Sequence, residues 1–215
     1  MSQRKPALRM RVQQFLYKAT HQMHMIGAVW SHIPGFSHRQ LCMRCYVIES
    51  MEHILTQCPI NVNRSIWSLV KLTWPHSQEL WPEISLGLII EIGCANVPWN
   101  RVHPLHLQHH PRAPSIQQRG ATRLLHIIIL EAAHLIWVMR CKRVIQNRQH
   151  TDDETRAKWL RTINERLTRD RIIATKIKQN TKHTKLIKHT WGPILQNHCA
   201  SPDDWLCHQR SDTDS

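Results

Sequence analysis

This sequence has little glycine and few acidic residues. Six glycines in 215 residues leave no glycine-rich loop of the kind that cradles phosphates in nucleotide-binding enzymes. Scarce glycine, together with aliphatic residues that recur at helical spacing, predicts a mostly α-helical protein. The 15 Asp and Glu residues are scattered, so the pattern indicates no cluster of carboxylates that converges on catalytic metal ions. Because no Ser/His/Asp set can be placed either, we expect a protein that is not an enzyme.

The sequence also indicates no secretory or membrane-spanning segment. The cations near the N-terminus are not followed by the apolar region of a signal peptide. The longest apolar stretch, Leu124 to Met139, has 16 residues and is interrupted by His126, Glu131 and His134. Its shortness predicts a buried helix rather than a membrane span. Seven cysteines are an odd number, which does not fit a disulfide framework. We therefore expect an intracellular protein, nuclear or cytoplasmic, without a membrane or small-molecule partner.

Basic residues are abundant, with 29 Lys and Arg and a formal net charge of +14. This excess predicts a polyanionic partner, RNA or DNA. From Arg140 to Thr190 there are 15 Lys and Arg against five Asp and Glu, a local net charge of +10. A basic helix can lay cations along a phosphate backbone, whereas a solvated helix face is the alternative interpretation. The residues predicted to bind nucleic acid are Arg156, Lys158, Arg161, Arg166, Arg169, Arg171, Lys176 and Lys178.

Four soft ligands lie within 17 residues, in the pattern C-x2-C-x7-H-x4-C. They are Cys42, Cys45, His53 and Cys58, and three thiolates with one imidazole are a complete tetrahedral set for Zn²⁺. Since all four positions are protein ligands, the pattern predicts one structural zinc ion rather than a catalytic one. Three thiolates, a neutral imidazole and the ion sum to −1, and Arg44 is placed to offset that charge. His38 remains an alternative ligand.

Two further clusters of ligating residues are weaker candidates. One contains His103, His106, His109 and His110, in a proline-rich loop that offers no preformed geometry. The other pairs His198-Cys199 with Cys207-His208, in a polar tail. The spacing alone does not decide whether either cluster binds metal.

The pattern predicts a small zinc-stapled module followed by a helical bundle. Residues 1–75 would hold an N-terminal helix from about Pro6 to Trp30 and the zinc module, and residues 76–119 an irregular linker with the His/Pro-rich loop. Residues 120–197 form the basic helical region, and residues 198–215 a polar tail. Within 84–92, periodicity does not distinguish strand from helix. The predicted helices after the zinc motif are Asn63 to Trp74, Gly120 to Gln149, Thr151 to Gln179 and Lys182 to Asn197, the third opened by a Thr151/Glu154 capping box.

The segment around these cysteines resembles the reverse-transcriptase zinc-binding module of non-LTR retrotransposon proteins. That module has C-x2-C followed by E-x-x-x-H, two apolar residues and a further Cys. Here Glu49, His53 and Cys58 match, with Ile54 and Leu55 at the apolar positions. The resemblance extends from about residue 10 to 191. Four further stretches look like fungal versions of the region, and they are Trp30 to Pro34, Trp81 to Ile89, His134 to Trp137 and Arg140 to Ile145.

The resemblance implies nucleic-acid handling as an accessory region of a retroelement protein. The departure from the family is that this chain has no polymerase domain, since no Tyr-x-Asp-Asp-like pair lies between apolar strands. Asp152-Asp153 belongs to a helix start and Asp203-Asp204 to a polar tail. Two alternatives remain open: a zinc-stapled scaffold for protein interactions, and a retroelement remnant without function.

Overall fold

A computed structural model describes residues 8–94, 114–176 and 181–198 of the chain. Within these residues there is no β-strand, and an isolated antiparallel bridge joins Leu41 to Ile48. The prediction of a mostly α-helical protein, with a Cys/His cluster ahead of a helical bundle, is confirmed. The α-helices are α1 (Met10–Thr20), α2 (Asn61–Thr73), α3 (Leu86–Cys94), α4 (Ile116–Gln146), α5 (Asp152–Lys176) and α6 (Lys182–His198).

Helix α4 is the centre of the bundle. It contacts all five other helices, and from Leu124 to Ile136 most of its side chains are buried. Its start is fixed by a capping box, in which Ser115 Oγ accepts from the backbone N–H of Gln118 and the Gln118 side chain accepts from the N–H of Ser115. The sequence-based start at Gly120 missed this box. Because α4 is apolar nearly all round, it serves as a core against which amphipathic helices pack.

The length of α4 requires a correction. The 16-residue apolar stretch alone is too short to span a membrane, but the helix that contains it has 31 residues and is long and apolar enough to do so. In the structure, 67% of the most apolar 18-residue segment of this helix is buried inside the protein. The central helix of a helical bundle can be equally long and apolar. The interpretation of α4 as a core helix therefore rests on its burial and not on its length.

The N-terminal half differs in detail from the predicted elements. The first helix ends at Thr20 rather than near Trp30, and the chain continues through Gln22, whose φ is +53°, into a 3-10 turn. Helix α3 settles the ambiguous apolar run as helix and packs on α1 and α4, so this part of the expected linker is integral to the bundle. Most of the His/Pro-rich loop lies outside the described residues.

Helices α5 and α6 close over α4 through a buried polar group. Asp170 accepts a hydrogen bond from the Trp191 indole at 2.7 Å and pairs with Arg123 at 2.8 Å and Arg166 at 3.7 Å. Thr151 caps α5, since its Oγ1 accepts from the N–H of Glu154 at 3.1 Å, but the Glu154 carboxylate pairs with Arg148 and His150 and does not complete the predicted capping box. One continuous hydrophobic cluster includes residues from all six helices and from the Cys/His segment. The metal module and the bundle therefore share a core.

Candidate metal centre and basic helix

The four predicted ligands lie together. One donor atom from each of Cys42, Cys45, His53 and Cys58 falls within 4.8 Å of all the others. The Sγ atom of Cys58 is 3.6 Å from that of Cys42 and 3.9 Å from that of Cys45. Two sulfurs that bind one tetrahedral zinc at about 2.3 Å stand about 3.8 Å apart, whereas a disulfide bond is about 2.0 Å long. These two sulfur–sulfur distances fit a tetrahedral metal site and exclude a disulfide between the cysteines concerned.

The first two ligands are held by a tight hairpin. The Cys42 N–H donates to the Val47 carbonyl and the Tyr46 N–H donates to the Cys42 carbonyl, each at 2.8 Å. The Leu41–Ile48 bridge closes the hairpin behind them. Tyr46 has a φ of +56°, the left-handed conformation that reverses the chain. This reversal points the two thiols of the C-x2-C motif at one place.

The other two ligands lie at the two ends of a single π turn, His53–Gln57, which begins at His53 and is followed directly by Cys58. Ser50 Oγ accepts from the His53 N–H at 3.0 Å and so caps the start of this turn, and the Cys58 N–H donates back to the His53 carbonyl at 2.8 Å. In an α-helix, residues five apart point about 140° away from each other. The wider π turn brings them to the same side, which explains how an H-x4-C spacing supplies two ligands to one ion.

Residues that the sequence-based reasoning missed hold the second ligand pair in place. Asn63, 5% exposed, donates from Nδ2 to the carbonyls of Ile54 at 2.8 Å and Cys58 at 3.4 Å. The Trp67 indole donates to the Leu55 carbonyl at 2.8 Å. Both residues lie on α2, so this helix fixes the backbone of the His–Cys turn. The sequence feature that could have indicated Asn63 is a polar residue at the start of an amphipathic helix, shortly after the last cysteine of the motif.

A buried ion pair connects the metal module to the central helix. Glu49 follows the hairpin and is 4% exposed, and Arg140 on α4 is 2% exposed. Arg140 donates to Glu49 Oε2 from Nη2 and, at 3.0 Å, from Nε, and its guanidinium lies 5.5 Å from the centre of the Trp137 ring. The sequence places Glu49 in the zinc-motif pattern and Arg140 in the basic region, and neither pattern predicts that the two residues pair. The structure makes them a link between the two parts.

The electrostatics of the cluster favour one thiolate. Burial raises the pKa of Cys42, but hydrogen bonds from His53 and from the Arg44 and Cys45 backbones outweigh burial and bring the pKa down to about 7. Burial, with Cys42 nearby, raises the pKa of Cys58 to about 12 and also raises the pKa of Cys45. A cation arriving at the cluster must therefore displace protons from Cys45 and Cys58. In return, it would remove the repulsion among the three sulfurs.

The donor set fits a closed metal site. The buried Nε2 of His53 has no hydrogen-bond partner within the described residues. Arg44 is exposed and contributes its backbone to Cys42 and its charge to the pKa of Cys45. His38, the alternative ligand, is exposed, lies 6.5 Å from the Phe36 ring centre and is not one of the clustered residues. The structure therefore holds a Cys₃His group able to bind a metal ion.

The cations predicted to bind nucleic acid lie on α5, but not on one face. Arg156, Arg161, Arg169 and Lys176 are exposed, whereas Lys158 and Arg171 are partly buried. Lys178 lies outside the described residues. Positions 158, 161, 165, 169, 172 and 176 are three or four residues apart and so share one side of the helix. We call Lys158, Arg161, Arg169 and Lys176 the basic stripe.

Arg166 does not belong to this surface. It is 2% exposed, lies 3.7 Å from Asp170, and burial lowers its pKa. A guanidinium enclosed between α5 and the helices beneath it cannot meet a phosphate on the outside of the protein. Its role is structural, and it is left out of the proposed binding surface.

Most acidic residues of α5 are already paired. Glu154 accepts from Arg148 at 2.9 Å and pairs with His150 at 3.1 Å, so its pKa is lowered to about 2. Glu165 pairs with Arg161 at 3.0 Å and with Arg9 at 3.3 Å. No acidic group of the described chain lies within ion-pair distance of Arg156 or Arg169. The stripe therefore keeps a positive excess despite the acids on the same helix.

The remaining candidate ligands cannot be placed. The structure does not describe His103, His106, His109, His110, Cys199, Cys207 and His208, nor the side chain of His198.

No protein-family model matches the chain, and neither a curated protein nor a solved structure is significantly similar to it.

Proposed function

We propose that this chain is a zinc-stapled, helical, nucleic-acid-binding protein, an accessory region that derives from a retroelement protein. The proposal gives the metal a structural role and the basic stripe the contact with phosphate. The observation that carries it is the stripe itself, four cations on one side of α5, where the neighbouring acids Glu154 and Glu165 are already neutralised by cations, Glu165 in part by Arg161 of the stripe.

Zinc is the ion that suits the Cys₃His group best. Three thiolates and an imidazole are typical of structural zinc, and carboxylate or water ligands, which calcium and magnesium prefer, are not among the four. The ligand atoms come from two segments with uncommon backbone conformations, a hairpin turn with a left-handed residue and a π turn. A bound ion would stabilise both, with an apparent binding free energy on the order of 10 kcal/mol.

The basic stripe suits a phosphate backbone by its length and exposure. From Lys158 to Lys176 the helix rises roughly 27 Å, which is enough to follow several successive phosphates. Arg161 has a side chain that is 82% exposed, so it can leave Glu165 for a phosphate at small cost. Contacts of this kind read charge rather than base sequence. The site therefore favours sequence-independent binding of RNA or DNA.

The test is the salt dependence of binding. The triple variant Arg161→Glu, Arg169→Glu and Lys176→Glu should weaken binding of a labelled oligonucleotide, measured by fluorescence anisotropy. For duplex DNA, the logarithmic slope against salt should become shallower by about 3, since each lost phosphate contact removes about 0.9.

A charge-matched control separates contact from net charge. Lys18, Arg64 and Lys71 are exposed on α1 and α2, and reversing all three changes the net charge of the protein by the same amount. This control should shift the salt slope by less than about 1. Equal slopes for the two triple variants would show that the stripe makes no specific contact.

The retroelement origin rests on the resemblance of residues 41–59, and polymerase remnants in the coding sequence upstream of Met1 would test it. A protein-interaction scaffold is the second candidate function. It is favoured by exposed apolar side chains on the hairpin, where Met43 is 68% and Ile48 58% exposed. If the wild-type chain binds neither single-stranded nor duplex oligonucleotides in the anisotropy assay, the scaffold is left as the better supported function.

A further inference from the structure

Tyr46 is an unusual residue at its position in the metal hairpin. Its φ is +56° and its side chain is 79% exposed. Bulky residues rarely adopt this conformation, because it brings the Cβ close to the backbone, a contact that glycine avoids. The hairpin needs the conformation, because the Tyr46 N–H closes the turn onto the Cys42 carbonyl. It does not need the phenol ring, which packs little against the protein.

The surface around Tyr46 is also apolar. Along the hairpin, Met43 is 68%, Val47 45% and Ile48 58% exposed. Leu41 is 37% exposed and lies opposite Ile48 in the antiparallel bridge, so the two side chains share one side of the hairpin. Exposed apolar side chains that are contiguous in this way mark interaction surfaces.

The charge around the hairpin selects the kind of partner. No acidic residue precedes Glu49, although seven Lys and Arg lie in the same 48 residues. Glu49 itself is buried and neutralised by Arg140. Arg44 is exposed between the two cysteines, and the Arg39 guanidinium lies 4.4 Å from the Phe36 ring centre and 5.2 Å from that of Trp30. The hairpin therefore combines an exposed aromatic group and an exposed cation, and none of its own residues is acidic.

We propose that the hairpin tip binds an unpaired nucleotide, with Tyr46 stacking on the base and Arg44 meeting the adjoining phosphate. A π-face is available on every base but is covered in a duplex, so such a platform selects single strands without reading sequence. The inference rests on the proposed nucleic-acid-binding function and deepens it. The basic stripe supplies general affinity for the backbone, and the hairpin supplies the preference for single strands. The unfavourable backbone at Tyr46 is then accounted for by function.

The experiment compares a labelled oligothymidylate with a duplex of the same length, using the zinc-loaded full chain. Tyr46→Gly is the decisive variant, because glycine accepts the left-handed backbone and should leave folding intact or improve it. We expect single-strand affinity to fall roughly 5- to 100-fold while duplex affinity stays within about twofold. Tyr46→Trp should retain the affinity for single strands. Tyr17→Ala, which removes a 60% exposed tyrosine from α1, is the matched control and should change neither.

The outcomes separate this proposal from the broader one. Unchanged single-strand affinity in Tyr46→Gly would overturn the stacking site and assign the patch to a protein partner. Equal affinity of the wild type for both oligonucleotides would also overturn it, while leaving the basic stripe as the binding surface. Loss of single-strand binding in Tyr46→Gly, with the stripe variant unaffected, would support the hairpin and contradict the stripe.

Discussion

Removing the carboxylate of Glu49 should destabilise the protein far more than its place next to an exposed hairpin suggests. Glu49 is the buried partner of Arg140, and both side chains are no more than 2% exposed. In Glu49→Ala the guanidinium would remain in the core without its carboxylate. Breaking a buried pair from one side typically costs about 3–5 kcal/mol, a large part of the roughly 5–15 kcal/mol that stabilises a domain.

Urea denaturation of the zinc-loaded protein measures the effect. With a slope of about 2–3 kcal/mol per molar urea, the midpoint of Glu49→Ala should fall by roughly 1–2 M. The double variant Glu49→Met/Arg140→Met should recover most of the loss, because it removes both charges and keeps apolar volume. Glu165→Ala is the surface comparison, since the Arg161 side chain of that pair is 82% exposed. It should cost at most about 1 kcal/mol.

Two results would refute this reasoning. One is a Glu49→Ala midpoint that matches that of Glu165→Ala, which would show that the link between hairpin and helix contributes nothing. The other is a double variant as unstable as Glu49→Ala, which would mean that the loss comes from packing rather than from the unpaired charge.

Two further perturbations have definite expected results. Burial, with Arg9 and Arg11 nearby, lowers the pKa of His134 from 6.5 to about 4; protons therefore favour the unfolded chain, and stability is lost as pH falls through this window. At pH 5 the free energy of unfolding should be about 2 kcal/mol lower than at neutral pH because of this group. Urea titrations of His134→Leu should not show this decrease. Gly27→Ala should lower the melting temperature more than Gly35→Ala. Both glycines have positive φ, but only at Gly27 would a Cβ meet a backbone atom, the Glu49 carbonyl oxygen, at 2.4 Å.

Local patterns predicted much of the fold. The clustering of the four ligands, the cap at Thr151 and helices α2, α4, α5 and α6 follow from local patterns, whereas α3 was left open between strand and helix. The predicted helix ends were less accurate where something other than the hydrophobic period determines where a helix begins or ends. Thr20 ends α1 without a proline or glycine beside it, and Ser115 starts α4 through a box that the helical period does not reveal.

Contacts between distant segments could not be predicted. Glu49 and Arg140 are 91 residues apart, and neither differs in local pattern from an exposed charge. The same holds for Arg166, which sits among exposed cations in sequence and turns inward to Asp170. Only the packing of α4, α5 and α6 decides which charges of a basic helix are buried.

The most direct test of the central claim is the zinc content of the folded protein. Native mass spectrometry of the full chain should show one bound zinc, and removal by a chelator should cost helical structure as judged by circular dichroism. Cys45→Ser should lose the ion, whereas Cys141→Ser, which changes a cysteine of α4 outside the cluster, should keep it. A fully folded protein without metal, or stoichiometric zinc in Cys45→Ser, would contradict a structural site built from Cys42, Cys45, His53 and Cys58.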